Sequence, residues 1–190
     1  MKDASPQVTA VALPAHARIG GFYANTHLAD AYCVILPGAA SHDPEQLARF
    51  MFAQQPAWVH QLMKVRDALG GGLGLKTARQ LQRIESGAPS QRLGIFKIYE
   101  RHPDEIILGE DDSHLDFRVS VLYSPANGTT GSPPRLTVST VVHCHNLLGR
   151  FYILLIALIH RLVVQAGLNR AARLGWPAPA LSATALHQSA

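Results

Sequence analysis

Cysteine, charge and aromatic residues are all scarce in this chain. Only two cysteines, Cys33 and Cys144, occur in 190 residues, so neither a disulfide framework nor a Cys-x-x-Cys redox pair is available. Each lies in an apolar, strand-like stretch and reads as a small buried hydrophobe. Charged residues make up 16% of the chain, against roughly 25% in an average soluble domain. Aromatics reach only 7% and the 17 basic residues are dispersed. A nucleic-acid groove needs clustered cations with stacking rings between them, so nucleic acid is excluded as a partner despite the formal charge of +4. The opening residues up to Arg18 contain no apolar core of signal-peptide length, and with reduced cysteines this predicts a cytoplasmic setting.

Apolar residues, by contrast, are plentiful, at 47%. The length suits one domain. Residues 1–26 lack periodicity and read as an arm over the surface, residues 27–175 as the domain, and residues 176–190, with Pro177 and Pro179, as a flexible tail. Ala31–Leu36 is a β-prone run closed by Pro37-Gly38. Asp43-Pro44-Glu45-Gln46 starts a helix, with an acidic N-cap, proline at the first helical position and Gln46 placed for a capping-box bond. Pro56 opens a second short helix, with Trp58, Leu62, Val65 and Leu69 on one stripe. The glycine-rich run Gly70–Thr77 fails as a phosphate loop, because Leu75 rather than glycine precedes Lys76 and a helix leads into it.

From Gly94 the pattern changes to strands. Phe96–Ile98 and Ile106–Leu108 flank a turn at Arg101–Asp104. Leu115, Phe117, Val119, Val121 and Tyr123 then alternate with His114, Asp116, Arg118 and Ser120, so one face is apolar. A Ser/Pro/Gly loop from Ser124 to Pro134 leads to the strand Leu136–His145. The last element, from Leu147 to Arg173, is one long helix. Its run Phe151–Ile159 is apolar on every side, yet Arg150, His160 and Arg161 bracket it too tightly for a membrane span of about 18–20 residues. It reads as a core helix wrapped by other structure, not an integral membrane segment. This order predicts an α+β fold: a curved antiparallel sheet around a long C-terminal helix, with two short helices after the first strand. Where sheet and helix meet, a pocket for a small apolar molecule can form.

Particular stretches resemble a known family. They are Ala29-Asp30-Ala31-Tyr32, Arg66-Asp67, Gly94-Ile95-Phe96, Ile107 to Arg118 with its Gly-Glu-Asp-Asp-Ser-His-Leu-Asp block, Thr140–His143, Asn146–Tyr152 and His160-Arg161. Together they resemble the bacterial family called domain of unknown function 2867. The resemblance implies a helix-grip fold of the lipid-transfer and polyketide-cyclase-like kind, and it brings no established catalytic residues. Because some relatives are fused to a short-chain-dehydrogenase-like domain, it also implies a dehydrogenase-like partner; a homodimer is the other expected partner. Where the family commonly has a proline and an aromatic residue before the helix histidine, this chain has Leu158 and Ile159, which favours an uninterrupted helix.

Two groups of side chains are candidates for function. Phe96, Phe117, Val119, Tyr152, Ile156 and His160 are the expected ligand-binding residues, with Tyr152, Ile156 and His160 spaced by four on one helical stripe. His114, Asp116, His143 and His145 form an expected polar cluster, since antiparallel pairing of their two strands brings His145 near His114 and His143 near Asp116. Three imidazoles and a carboxylate suit a divalent metal or a proton relay, and equally a hydrogen-bonded structural cluster on the second face of the sheet. Neither a metal nor a cofactor is assigned. Glu110, Asp111 and Asp112 suit a turn, with Arg118 or Arg150 as ion-pair partner. The leading expectation is binding of a small hydrophobic ligand. Cyclase- or dehydratase-like catalysis on a hydrophobic substrate, or an interaction module with a filled cavity, are the alternatives.

Overall fold

The computed structural model describes residues 7–59, 61, 62, 64, 91–129 and 131–179. Seven strands form one curved antiparallel sheet: β1 (Thr9–Val11), β2 (Leu28–Ile35), β3 (Arg92–Leu93), β4 (Phe96–Arg101), β5 (Glu105–Asp111), β6 (Leu115–Ser124) and β7 (Arg135–Cys144). Their order is β1-β2-β7-β6-β5-β4-β3. Helix α1 spans Pro44–Ala53, and the long helix α2 spans Leu147–Leu174 without interruption. The architecture is α+β and helix-grip-like, as the order of elements predicts. Helical backbone resumes at Ala57, but Val65, Leu69 and the Gly70–Thr77 run lie outside the described residues.

Local signals account for the element ends. Asp43 caps α1 by accepting from the Glu45 amide at 2.9 Å, and Pro44 occupies the first turn. Gln46 does not close a capping box. Its amide instead donates to the Ala178 carbonyl at 3.2 Å, while the Ser41 amide donates to Pro177 and Trp176 packs beside Phe50. The tail is thus held against α1 at least as far as Ala178. The Asn146 side chain accepts from the Gly149 amide at 2.9 Å and caps α2.

Alternation in β6 and β7 assigns the two faces of the sheet. Phe117 lies opposite Val142, Val119 opposite Thr140 and Val121 opposite Val138. This face builds the main core with Tyr32, Val34, Leu47, Met51, Leu108 and Leu168. The other face is not left to solvent. The N-terminal arm covers it: Ile19 is fully buried and packs with Ala17, Leu122 and Val141, and β1 adds an edge strand to β2. Lack of periodicity had suggested a surface arm, but a three-residue strand and one buried isoleucine are enough to anchor it.

Glu105 explains how the arm is fastened. Its side chain is fully buried, accepts from the Arg18 backbone amide at 2.9 Å and from the Ser120 hydroxyl, and pairs with the Arg18 guanidinium at 3.3 Å. A buried carboxylate is tolerable only with such partners.

Helix α2 differs from the expectation of a wrapped core helix. The sheet covers one side of it, burying Gly149, Ile153, Gly167, Leu168 and Ala171. Leu147, Phe151, Leu154, Leu155, Leu158 and Leu162 are exposed on the other. An all-round apolar composition cannot reveal which side lacks a neighbour. Length and hydropathy alone would let α2 cross a membrane.

Candidate functional site

Between α2 and the sheet lies a cavity of about 640 Å³. Its floor comes from alternate residues of neighbouring strands: Leu28 of β2, Val138, Thr140 and Val142 of β7, Leu115, Phe117 and Val119 of β6, and Phe96 of β4. Tyr152, Ile153, Ile156, Ile159, His160 and Val163 of α2 form the roof, and Met51, Phe52 and Gln55 from α1 and the turn after it close a side. The period of two in the strands and of about 3.6 in the helix turns these side chains to a common space.

All six residues expected from sequence to bind a ligand, Phe96, Phe117, Val119, Tyr152, Ile156 and His160, lie on the cavity wall. Phe96 stands edge-on to Phe117, with ring centroids 5.8 Å apart, and tilts against Phe52 at 5.1 Å. Gly149 sets the height of the roof at one end, because a Cβ there would collide with the His114 carbonyl oxygen. The volume lies within the range of roughly 300–1,000 Å³ of small-molecule sites.

Gln55, Glu110, Asp112, Thr140, Tyr152 and His160 bring polar groups to this space, and two of them present an atom without a hydrogen bond. His160 Nε2 and Gln55 Oε1 line it and are buried without a hydrogen bond. Asp30 Oδ1, also buried and unbonded, stands 3.5 Å from His160 Nε2. Behind it runs a polar chain: Arg161 Nε donates to the Tyr32 hydroxyl at 3.2 Å, and that hydroxyl reaches the second Asp30 oxygen at 3.5 Å. Asp30 escaped the sequence reading as a site residue. Its signal was an out-of-phase carboxylate: Leu28, Asp30, Tyr32 and Val34 alternate along β2, and only Asp30 among them is charged.

The histidine cluster lies on the other face. Asp116 is directly opposite His143 in register, but its carboxylate pairs with His145 Nε2 at 3.0 Å. His143 Nδ1 donates to the Asn25 carbonyl at 2.6 Å, and its ring stacks on Tyr23. The Asn146 amide donates to His114 Nδ1 at 2.9 Å. His27, missed from sequence, accepts the Cys144 amide at 3.1 Å. Burial, reinforced by the charges of Arg150 and His143, lowers its pKa below that of free histidine. These partners hold the imidazoles in separate hydrogen bonds, and among the described residues no group of three or more His, Cys, Asp or Glu could hold a metal.

Ion pairs hold the acidic block, of which Glu110 and Asp112 also lie on the cavity wall. Arg92 pairs with Glu110 and Arg118 with Asp111, each at 2.7 Å. Burial pushes the Asp111 carboxyl up, but hydrogen bonds from Tyr99 and Arg118 and the nearby cations outweigh it and hold its pKa low.

The family model described as "Protein of unknown function (DUF2867)" matches residues 22–167. That span is most of the 190-residue chain, and the chain belongs to this family. No curated protein and no solved structure matches it.

Proposed function

We propose that the chain binds a small amphipathic molecule in the cavity between α2 and the sheet, as a carrier or sensor. The observation that carries this reading is the cavity itself: about 640 Å³ walled almost wholly by apolar side chains. Such space is costly to leave empty and poorly suited to water. The unbonded atoms of His160 and Gln55 favour a guest with one polar end, since buried polar groups normally have partners. The proposal agrees with the helix-grip fold of lipid-transfer and cyclase-like kind that the family resemblance implies.

Native mass spectrometry of the purified chain tests the reading. The expected spectrum carries an organic mass above that of the polypeptide, and the mass is lost when Val119→Trp fills the floor. A bare polypeptide mass after purification from cells and after incubation with a mixed lipid extract overturns it.

One observation favours a second reading, acid–base catalysis on a hydrophobic substrate. His160 Nε2, at the cavity wall, stands 3.5 Å from Asp30 Oδ1, and neither of these two atoms has another hydrogen bond, a pairing that can orient an imidazole as a general base. Turnover of the bound molecule in the wild type but not in His160→Asn would select this reading.

A further inference from the structure

We propose that the outer face of α2 docks on an anionic lipid surface. Leu147, Phe151, Leu154, Leu158 and Leu162 follow one another at intervals of four, three, four and four residues, with Leu155 beside them. At 100° per residue all six fall within an arc of about 100°. They are 55–79% exposed. The stripe runs about 22 Å along the helix. Contiguous exposed apolar surface of this kind marks a docking site rather than ordinary surface.

Charge selects the occupant. Helix α2 carries Arg150, Arg161, Arg170 and Arg173 and no acidic residue, and all four arginines are exposed. Arg150 and Arg161 lie three turns apart on the same flank of the stripe. Two copies packed stripe to stripe in the antiparallel sense would bring these flanks together, and in either sense neither helix has a carboxylate to neutralise them. Anionic headgroups supply the missing charge, and an apolar face bordered by arginine is the pattern of a helix lying in a membrane interface.

The helix lies on the bilayer and does not cross it. Its opposite side holds Ile153, Leu168 and Ala171 buried under the sheet, and Gly149 sits against the backbone of His114, the residue before β6. Insertion is therefore limited to the one face, about 5–10 Å deep. Phe151 and Leu155 belong both to the stripe and to the cavity wall, so the cavity reaches the surface on the side that would meet lipid.

Co-sedimentation of the full chain with vesicles tests this without reference to any guest. One set is phosphatidylcholine alone, and the other holds phosphatidylcholine and phosphatidylglycerol in equal parts. Binding is expected to the second set, weakened by salt. Arg150→Gln should reduce it about fivefold, and the double variant Leu154→Asp/Leu158→Asp at least tenfold. Melting curves should be unchanged, because these side chains face solvent. Three results overturn the proposal: no binding to either set, equal binding by wild type and both variants, or a concentration-dependent dimer that the double variant dissociates while vesicles capture nothing.

Discussion

Emptying the cavity is the perturbation with the largest expected effect. Were the cavity dry and closed, its 640 Å³ would cost roughly 15 kcal/mol at about 24 cal/mol per Å³, an upper bound because it opens to solvent beside Phe151 and Leu155. The whole stability of a typical domain is only about 5–15 kcal/mol. Water entering by that opening relieves part of this, although apolar walls give it few hydrogen bonds. A bound guest relieves more, and mass action sets how much is visible. At a hundredfold excess over its Kd a guest adds about 2.7 kcal/mol, which for a chain of this length raises Tm by about 5–11 °C. The assay compares the chain as purified with a portion stripped over hydrophobic resin, both followed by circular dichroism on heating and by native mass. The stripped portion should melt lower by that margin and regain it when the extract is returned. Coincident melts, with a bare mass in both portions, refute the reasoning.

Three further outcomes follow from the fold. Gly149→Ala places a methyl against the His114 carbonyl and should lift the first turn of α2, costing about 1–3 kcal/mol in urea unfolding; an unchanged midpoint would show that the roof is slack. Ser120→Ala removes a partner of the fully buried Glu105 and should cost about 1–3 kcal/mol, read the same way, with loss of Arg18 amide protection in hydrogen exchange. Glu45 is raised by partial burial, but hydrogen bonds and charge from Arg101 and Arg49 outweigh this and leave it below the ordinary value. Its contribution is therefore present above the ordinary carboxylate pKa and lost as pH falls through the lowered one. Glu45→Gln should melt below wild type at neutral pH and converge with it in acid; a gap that persists in acid assigns the effect to packing.

Much of the fold was legible because its strands are half-buried. Leu115 to Tyr123 alternates cleanly, and that alternation by itself assigns Phe117 and Val119 to the inner face, where they line the cavity. The apolar run of α2 likewise marked the partner of that face. Two features were hidden for physical reasons. The arm covering Val141 and Leu122 contributes a single buried isoleucine and three strand residues, too short a stretch for any period to register. The outer face of α2 was misjudged because a helix apolar all round carries almost no moment, so nothing distinguishes its packed side from its open one. At the site, Tyr152, Ile156 and His160 followed from spacing, whereas Asp30 required knowing which way β2 faces. His27 joins His143 only through tertiary packing.

The strand order also has a consequence in time. Strands β3 to β7 are joined in sequence and each from β4 onward pairs with its predecessor, so this part of the sheet can form as it is made. Strand β2 cannot be completed in that way, since its inner neighbour is β7, with Asp30 across from Thr140. During synthesis β2 therefore has one edge without its neighbour until most of the chain has been made. Joining strands so far apart delays the last step of folding. The space beneath α2, whose helix follows β7 directly, lacks part of its floor and all of its roof until then, so any guest is taken up only once β7 and α2 have been made.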